Sequence, residues 1–268
     1  MNVVVLAPIN SSLYALLVTH LCLQEEGMDI SGIILRRIYN LNRLRSEFRR
    51  DGYRLVRKIC QKLILANKHE IPGEETLHTH AQRLGLETRS LTQLAKLNRI
   101  PLIRVNDLNS KESIEFLKKA TPEVVAFTGG GIIRQNLLDA SGKGILNVHM
   151  GILPPYRGMD VVEWPILEQQ YHNLGITLHF MDRGVDTGAI LEVKHIPIKA
   201  NDTIRHIRTR HEIAMCDLMV WGIRNVTLNN IETRSQSHRA GKQFFVMHPR
   251  LVEAARGRLQ EFAPEQTQ

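Results

Sequence analysis

The run Val3-Val4-Val5-Leu6-Ala7 constrains this chain more than any other stretch. Five consecutive apolar residues, mostly β-branched, make a strand with no polar face, so both of its sides must be covered, as in a parallel sheet. Pro8-Ile9-Asn10-Ser11-Ser12 then turns the chain, an apolar helix is predicted from Leu13 to Glu25, and Ile30 to Leu35 supplies the next strand. This βαβ opening predicts an α/β fold with an open, mostly parallel sheet and helices on both faces. Its first turn lies at the carboxyl end of a strand, where such sheets bind ligands, but no Gly-x-Gly-x-x-Gly follows. An NAD or FAD reading loses its main support.

The later pattern continues the theme. Glu75 to Leu97 reads as one or two helical pieces broken at Gly85, and Pro101 to Val105 as the third strand. Ser110 to Lys119 is an amphipathic helix with Asn109 as its expected N-cap and Glu112 completing a capping box, and Pro122 stops it. Val124 to Phe127 is a buried strand that runs into Thr128-Gly129-Gly130-Gly131-Ile132-Ile133, where three glycines either let backbone approach a flat ligand or simply form a permissive loop. A short helix from Gln135 to Ala140 leads to the central stretch, Gly144 to Leu191. Beyond it a strand (Ala189 to Ile198), a helix (Thr203 to Val226, capped by Asp202 or Thr203), a hairpin through Gly241 to Val246, a helix from Pro249 to Leu259 and a frayed end from Pro264 are expected. The domain reading is a catalytic unit over 1–226, with an insertion at 36–70, and a small C-terminal extension over 227–268.

Composition matters at three points. The apolar runs are too short for a membrane span, and Met1 to Leu16 lacks the basic start of a signal peptide. Cys22, Cys60 and Cys216 are odd in number and widely spaced, which favours neither disulfides nor zinc and suits a reducing cytoplasm. The net charge of +8 is local: between Arg36 and Lys68 eleven Lys or Arg face two acids, which gives +9 there and −1 elsewhere. The pI therefore says little about nucleic acid, and none is expected as a partner. From Asn42 to Lys68 a helix is predicted with Leu44, Phe48, Leu55, Ile59 and Leu63 on one stripe and arginines around it. Three readings stay open for it: a solvated helix packed by its stripe, a contact for an anionic substrate or partner, or a weak membrane-surface contact.

The chemistry is concentrated in the central stretch. Asn147 and His149 lie two apart on a strand, so their side chains leave the same face. Asparagine offers a donor that never changes charge, and histidine a donor when protonated or a base when neutral. Asp186, thirty-nine residues after Asn147 in a Gly184–Gly188 turn, is placed to swing its carboxylate toward His149, orient it and favour its protonated form. Such a trio suits attack by an amine on an activated acyl or formyl carbon, each oxyanion donor contributing roughly 10²-fold. No nucleophile stands among them and no Gly-x-Ser-x-Gly occurs, so direct transfer is expected. Taken alone, Asn-x-His is more often a satisfied structural pair, Asp-Thr-Gly a common turn and His179 a packed strand residue. The reading rests on their co-occurrence. His78, His80, His206 and His211 lack a third ligand at a convincing spacing, and no metal is expected.

In this stretch the chain resembles the folate-dependent formyltransferases. The matching motifs are Asn147-Val148-His149, Gly151-Ile152-Leu153-Pro154 with Arg157-Gly158, Gly175-Ile176-Thr177-Leu178-His179 and Asp186-Thr187-Gly188. The likeness is specific from Val124 to Leu191, diffuse from Met1 to Leu35 and absent from Arg36 to Leu97. It implies a Rossmann-like sheet of the formyltransferase type, catalytic Asn147, His149 and Asp186, and 10-formyltetrahydrofolate as cofactor. It also implies a pterin pocket lined partly by backbone of Gly131, Ile132 and Ile133 and of the Phe180–Val185 turn, including Met181. Gly151 departs from the family, where many members carry serine.

For the acceptor, the resemblance leaves a choice. Methionyl-tRNA enzymes of the family add a C-terminal barrel, and the residues after Val226 are too few and poorly patterned for one. Glycinamide ribonucleotide enzymes carry a Gly-Ser-rich loop after the first strand, and the Pro8–Ser12 turn has no glycine. The expected acceptor is a small amine, a nucleotide-linked or activated amino sugar for surface polysaccharide, with Asn10, Ser11, Tyr156, Arg157 and His179 as candidate substrate contacts. Helix capping is the alternative for Asn10 and Ser11. A homodimer is a candidate assembly. Formyltetrahydrofolate hydrolysis and a noncatalytic binding module are the competing readings.

Overall fold

The computed structural model describes residues 1–37, 74–237 and 239–262. The expected basic helix from Asn42 and the tail from Pro264 lie outside them. β1 (Asn2–Ala7) is the inner strand of a seven-stranded sheet of order β3-β2-β1-β4-β5-β7-β8. β2 (Asp29–Arg36), β3 (Leu102–Val105), β4 (Val124–Phe127) and β5 (Ile145–His149) run parallel with it. β7 (Gly175–Phe180) and β8 (Ile190–His195) turn antiparallel at one edge. A separate pair joins β6 (Tyr156–Gly158) to β9 (Lys242–Phe244).

The helices follow the apolar pattern. On one face of β1, Val3, Val5 and Ala7 share a core with α1 (Leu13–Gln24), α2 (Leu77–Arg83) and α3 (Leu91–Leu97). Val4 and Leu6 meet α4 (Lys111–Ala120) and α5 (Gln135–Leu138) on the other. The apolar run from Val3 to Ala7 is thus used on both sides, each fully buried Val or Leu contributing roughly 1.5–3 kcal/mol. α6 (Glu163–Leu167) and α8 (Pro249–Glu261) share a third core with the start of the long α7 (Ile204–Thr227). Thr203 caps α7, and Lys143 closes its far end by donating to the carbonyls of Val226 and Thr227 at 3.0 and 2.8 Å. Gly222 lets α7 approach the site-bearing strand, because a methyl group there would come within 2.3 Å of Leu178.

Two local expectations change. The cap of α4 is Ser110, whose Oγ accepts from Ser113 N; Asn109 is drawn away by the Asp107 carboxylate, the Ile132 carbonyl and the Arg134 amide. Lys242–Phe244 forms no hairpin and pairs in parallel with Tyr156–Gly158, some eighty residues upstream. Two glycines permit that closure: a Cβ on Gly158 would meet Phe244 O at 2.2 Å, and one on Gly241 would meet Pro154 O at 1.7 Å.

Candidate active site

Antiparallel register assembles the polar cluster. Asn147 lies opposite His179 and His149 opposite Thr177, so two residues from each strand share one face. Directly opposed pairs bring side chains within reach of one another. Asn147 Nδ2 is 3.0 Å from His179 Nε2, and His179 Nδ1 is 2.7 Å from the Phe180 carbonyl. His149 Nε2 is 2.8 Å from the Tyr156 carbonyl. A carbonyl only accepts, so Nε2 of His149 carries the proton and Nδ1 is the nitrogen left for proton exchange. Thr177 secures the adjoining loop, its hydroxyl donating to Gly151 O at 2.8 Å and accepting from Leu153 N at 3.1 Å.

Asp186 closes the cluster from a different segment. Its backbone is left-handed, with φ of 53°, a conformation that aspartate tolerates better than most residues. The turn is shaped by Asp182, whose Oδ1 accepts from Gly184 N at 2.9 Å and Thr187 Oγ1 at 2.6 Å. Gly188 is required because a Cβ would lie 1.9 Å from Phe180 O. Asp186 Oδ2 accepts from Gly158 N at 2.9 Å and faces His149 Nδ1 at 3.5 Å, while Oδ1 faces His179 Nε2 at 3.6 Å. The two histidine side chains are 6% and 2% exposed and the aspartate 16%, so charges here are little screened. Burial outweighs the pull of Asp186 and pushes His179 down to about 4. His179 is therefore neutral at neutral pH, and its approach to Asp186 is not an ion pair.

A tether from the C-terminal segment holds this geometry. Gln236 Nε2 donates to the carbonyls of Asp186 and Gly188 at 3.2 and 2.6 Å, and its oxygen accepts from Arg157 Nη2 at 3.0 Å. Sequence reading missed Gln236, and it missed the Gly158 amide and Asp182. A signal existed only for Asp182, in the turn pattern Asp182-Arg183-Gly184.

The expected substrate contacts are placed differently. Tyr156 and Arg157 are 4% and 5% exposed; the Tyr156 hydroxyl donates to Glu168 at 2.7 Å, its ring stacks on Phe244, and Arg157 reaches Gln236 and Ser237. Their side chains brace the β6–β9 pair. His179 is buried and engaged with Asn147 rather than open to a ligand. Asn10 neither caps α1, a role Ser12 fills, nor joins the cluster: its Oδ1 accepts from Thr92 N and Oγ1 at 3.0 and 2.7 Å. Ser11 is exposed at the carboxyl end of β1, with β4 between that strand and β5.

The expected cofactor wall is a mixed surface. Gly129, Gly130 and Gly131 all have positive φ, at 112°, 134° and 113°, and Arg36 donates to the Gly130 carbonyl. Gly131 is exposed, Ile132 is 74% exposed and Val185 39% exposed. Ile133 turns into the core and anchors the loop, Phe180 packs against Gly144, and Met181 N donates to Ile145 O at 2.8 Å. Among the described residues no three His, Cys, Asp or Glu are arranged to hold a metal ion, and no helix is long and apolar enough to cross a membrane.

Known proteins resemble this arrangement at two levels. In sequence, the methionyl-tRNA formyltransferase of Geobacter sulfurreducens is 33% identical over 120 residues, 44% of this chain and 37% of that protein. That of Clostridioides difficile is 26% identical over 182 residues, 67% and 59% respectively. The chain spans about half the length of the curated relatives it matches. In fold, an N-formyltransferase from Helicobacter canadensis, solved with folinic acid and dTDP-3-aminofucose, has a TM-score of 0.59 at 19% identity, covering 98% of this chain and 81% of that one. A sugar 3N-formyl transferase solved with dTDP and 5-N-formyl-THF has a TM-score of 0.57 at 18% identity over 98% and 80%. Phosphoribosylglycinamide formyltransferase from Bacillus halodurans has a TM-score of 0.53 at 17% identity over 84% and 94%. The formyl transferase family model matches residues 61–220, a span that holds every member of the polar cluster except its tether Gln236, and this chain belongs to that family.

Proposed function

We propose that this chain is an N-formyltransferase that draws on 10-formyltetrahydrofolate and formylates the amine of a small nucleotide-linked amino sugar. The observation that carries the reading is the convergence, within this family fold, of a neutral amide donor at Asn147 and the facing pair His149 Nδ1 and Asp186. Asn147 donates to the oxygen that gains charge as the amine attacks. His149 Nδ1, with Asp186 behind it, takes up the proton that the amine loses and would hold it for the folate nitrogen that gives up its bond to the formyl carbon. With Nε2–H given to Tyr156, His149 serves the proton and leaves the oxyanion to Asn147. The cluster's hydroxyl, Thr177, is tied at both donor and acceptor positions, which supports direct transfer without a covalent enzyme intermediate.

The residues present fit a flat heterocycle. Gly131 leaves open backbone where the nearest neighbour to an added Cβ would be Arg36 at 3.4 Å, and Ile132 and Val185 present exposed apolar side chains. Gly131, Ile132, Phe180, Met181 and Val185 would hold the folate there, with Ile133 anchoring the loop. The bound folate supplies the formyl carbon.

The sugar acceptor is supported by the extent of the fold likeness, which takes in 98% of this chain for the two sugar enzymes and 84% for the glycinamide ribonucleotide enzyme. The methionyl-tRNA acceptor is the second reading, favoured by the sequence relatives. Buried free thiols at Cys22 and Cys216 accord with a reducing, cytoplasmic setting. The test is a mass-spectrometric screen of nucleotide-linked amino sugars with the formyl donor present. A gain of one formyl group on a sugar is expected. A gain on glycinamide ribonucleotide or methionyl-tRNA alone moves the acceptor, and folate release without any amine makes the protein a hydrolase.

A further inference from the structure

An asparagine amide can be turned either way round, because its oxygen and NH2 have nearly the same shape, and only its partners decide which end faces the reaction. Asn147 Nδ2 lies 3.0 Å from His179 Nε2, and His179 Nδ1 lies 2.7 Å from the Phe180 carbonyl. The carbonyl cannot donate, so His179 must place its proton on Nδ1. Nε2 is then a bare acceptor, and it accepts from the Asn147 amide. We propose that His179 is a positioning residue: locked as its Nδ1–H tautomer, it holds Asn147 with the NH2 inward and keeps the second N–H available as the oxyanion donor. A flipped amide would set the Asn147 oxygen against the lone pair of Nε2.

The two imidazoles beside Asp186 therefore divide the work. His149 exchanges a proton at Nδ1; His179 stays neutral and orients. The titratable groups facing His179 are Asp186, His149 and Asp182, and burial prevails over the two carboxylates in keeping it neutral. With no proton on Nε2, Asp186 has no hydrogen bond from His179, and its charge is directed to His149 and to the Gly158 amide. The same division follows from strand register, since His179 sits opposite Asn147 and Thr177 opposite His149.

The catalytic consequence rests on the formyltransferase reading; the tautomer does not, and the experiment separates them. Two-bond 1H–15N correlations on the full chain labelled with 15N-histidine distinguish Nδ1–H, Nε2–H and cationic rings, with the His179 signals identified by their loss in His179→Gln. The Nδ1–H form is expected at about pH 7. An Nε2–H or cationic ring there overturns the proposal whatever the turnover. In the formyl-transfer assay, His179→Leu is expected to lower kcat about 10²-fold with the donor KM nearly unchanged, the loss of one oxyanion donor. His179→Gln, which keeps an acceptor, should recover much of that loss. Equal losses in the two variants would overturn the positioning role. An Nδ1–H ring in a protein that formylates no amine would instead sink the functional reading.

Discussion

Two adjacent regions of the seven-stranded sheet, the parallel centre at β1 and β4 and the antiparallel junction of β5 and β7, meet their surroundings in different ways. Around β1 and β4 both faces are covered, and the burial of Val3 through Ala7 and Val124 through Phe127 leaves only strand tips for a ligand. What that side offers is backbone: the triple glycine after β4, pinned by Arg36. On the β5–β7 side, antiparallel pairing sets Asn147, His149, Thr177 and His179 on one face, with Asp186 against them. The parallel half supplies shape, and the antiparallel pair supplies groups that carry hydrogen bonds and charge. Direct cross-strand opposition can bring four polar side chains together in mid-strand, while parallel strands buried on both faces have no place for them.

If this division holds, perturbations of the two sides should differ in kind. The largest effect is expected from Asp186→Asn, which keeps the Gly158 contact but removes the charge facing His149: kcat should fall about 10³-fold with thermal stability nearly unchanged. A small change in steady-state kinetics would break the comparison at its strongest point. Asn147→Ala should cost about 10² in kcat, and a loss expressed mainly in KM would argue that the amide binds substrate rather than the developing oxyanion.

Stability against pH tests the same half without substrate. His179 and His211 are buried and pushed down to about 4 and about 3, His211 by burial and then by Arg210 and Arg208, and neither nitrogen of His211 has a hydrogen-bond partner among the described residues. Both folded values lie below the ordinary histidine value of about 6.5, so the folded state prefers the neutral rings. Their contribution is complete above about pH 6.5 and is lost as pH falls through 6 and 5, by about tenfold in the unfolding equilibrium per pH unit for each histidine. Urea titrations at several pH values should show this slope, and His211→Leu should lower it by about one tenfold per pH unit. An unchanged slope would show that His211 is protonated in both states.

The smallest effect belongs to the parallel side. Gly131 has φ of 113°, and Gly131→Ala should raise the donor KM several-fold with little change in kcat, because it alters a backbone wall and no reacting group. A drop in kcat matching that of Asn147→Ala would erase the distinction between the two regions.

Much of the fold was legible in advance because its signals are local. The apolar run of β1, the break at Gly85 and the stop at Pro122 each act over a few residues, and all appear where expected. The cap of α4 was misread by one residue because Asn109 and Ser110 are both competent caps, and the choice was made by Ile132 and Arg134, more than twenty residues away. Tyr156 and Arg157 were expected to face substrate because the family resemblance puts the substrate at the proline turn beside them; β9 covers their side chains, and nothing near that turn in sequence announces β9.

By itself, the sequence determined the α/β class, the chemical types in the central stretch and the two-residue periodicity that puts Asn147 and His149 on one face. Periodicity is a property of a single strand and needs no partner. Only the tertiary structure decided which strand stands opposite, and with it the contact of Asn147 with His179, the commitment of His149 Nε2 to Tyr156, the amide of Gly158 on Asp186, and the tether of Gln236. Apart from the local contact of His149 with Tyr156, these depend on packing between segments 28 to 48 residues apart, and no short stretch of sequence encodes that packing.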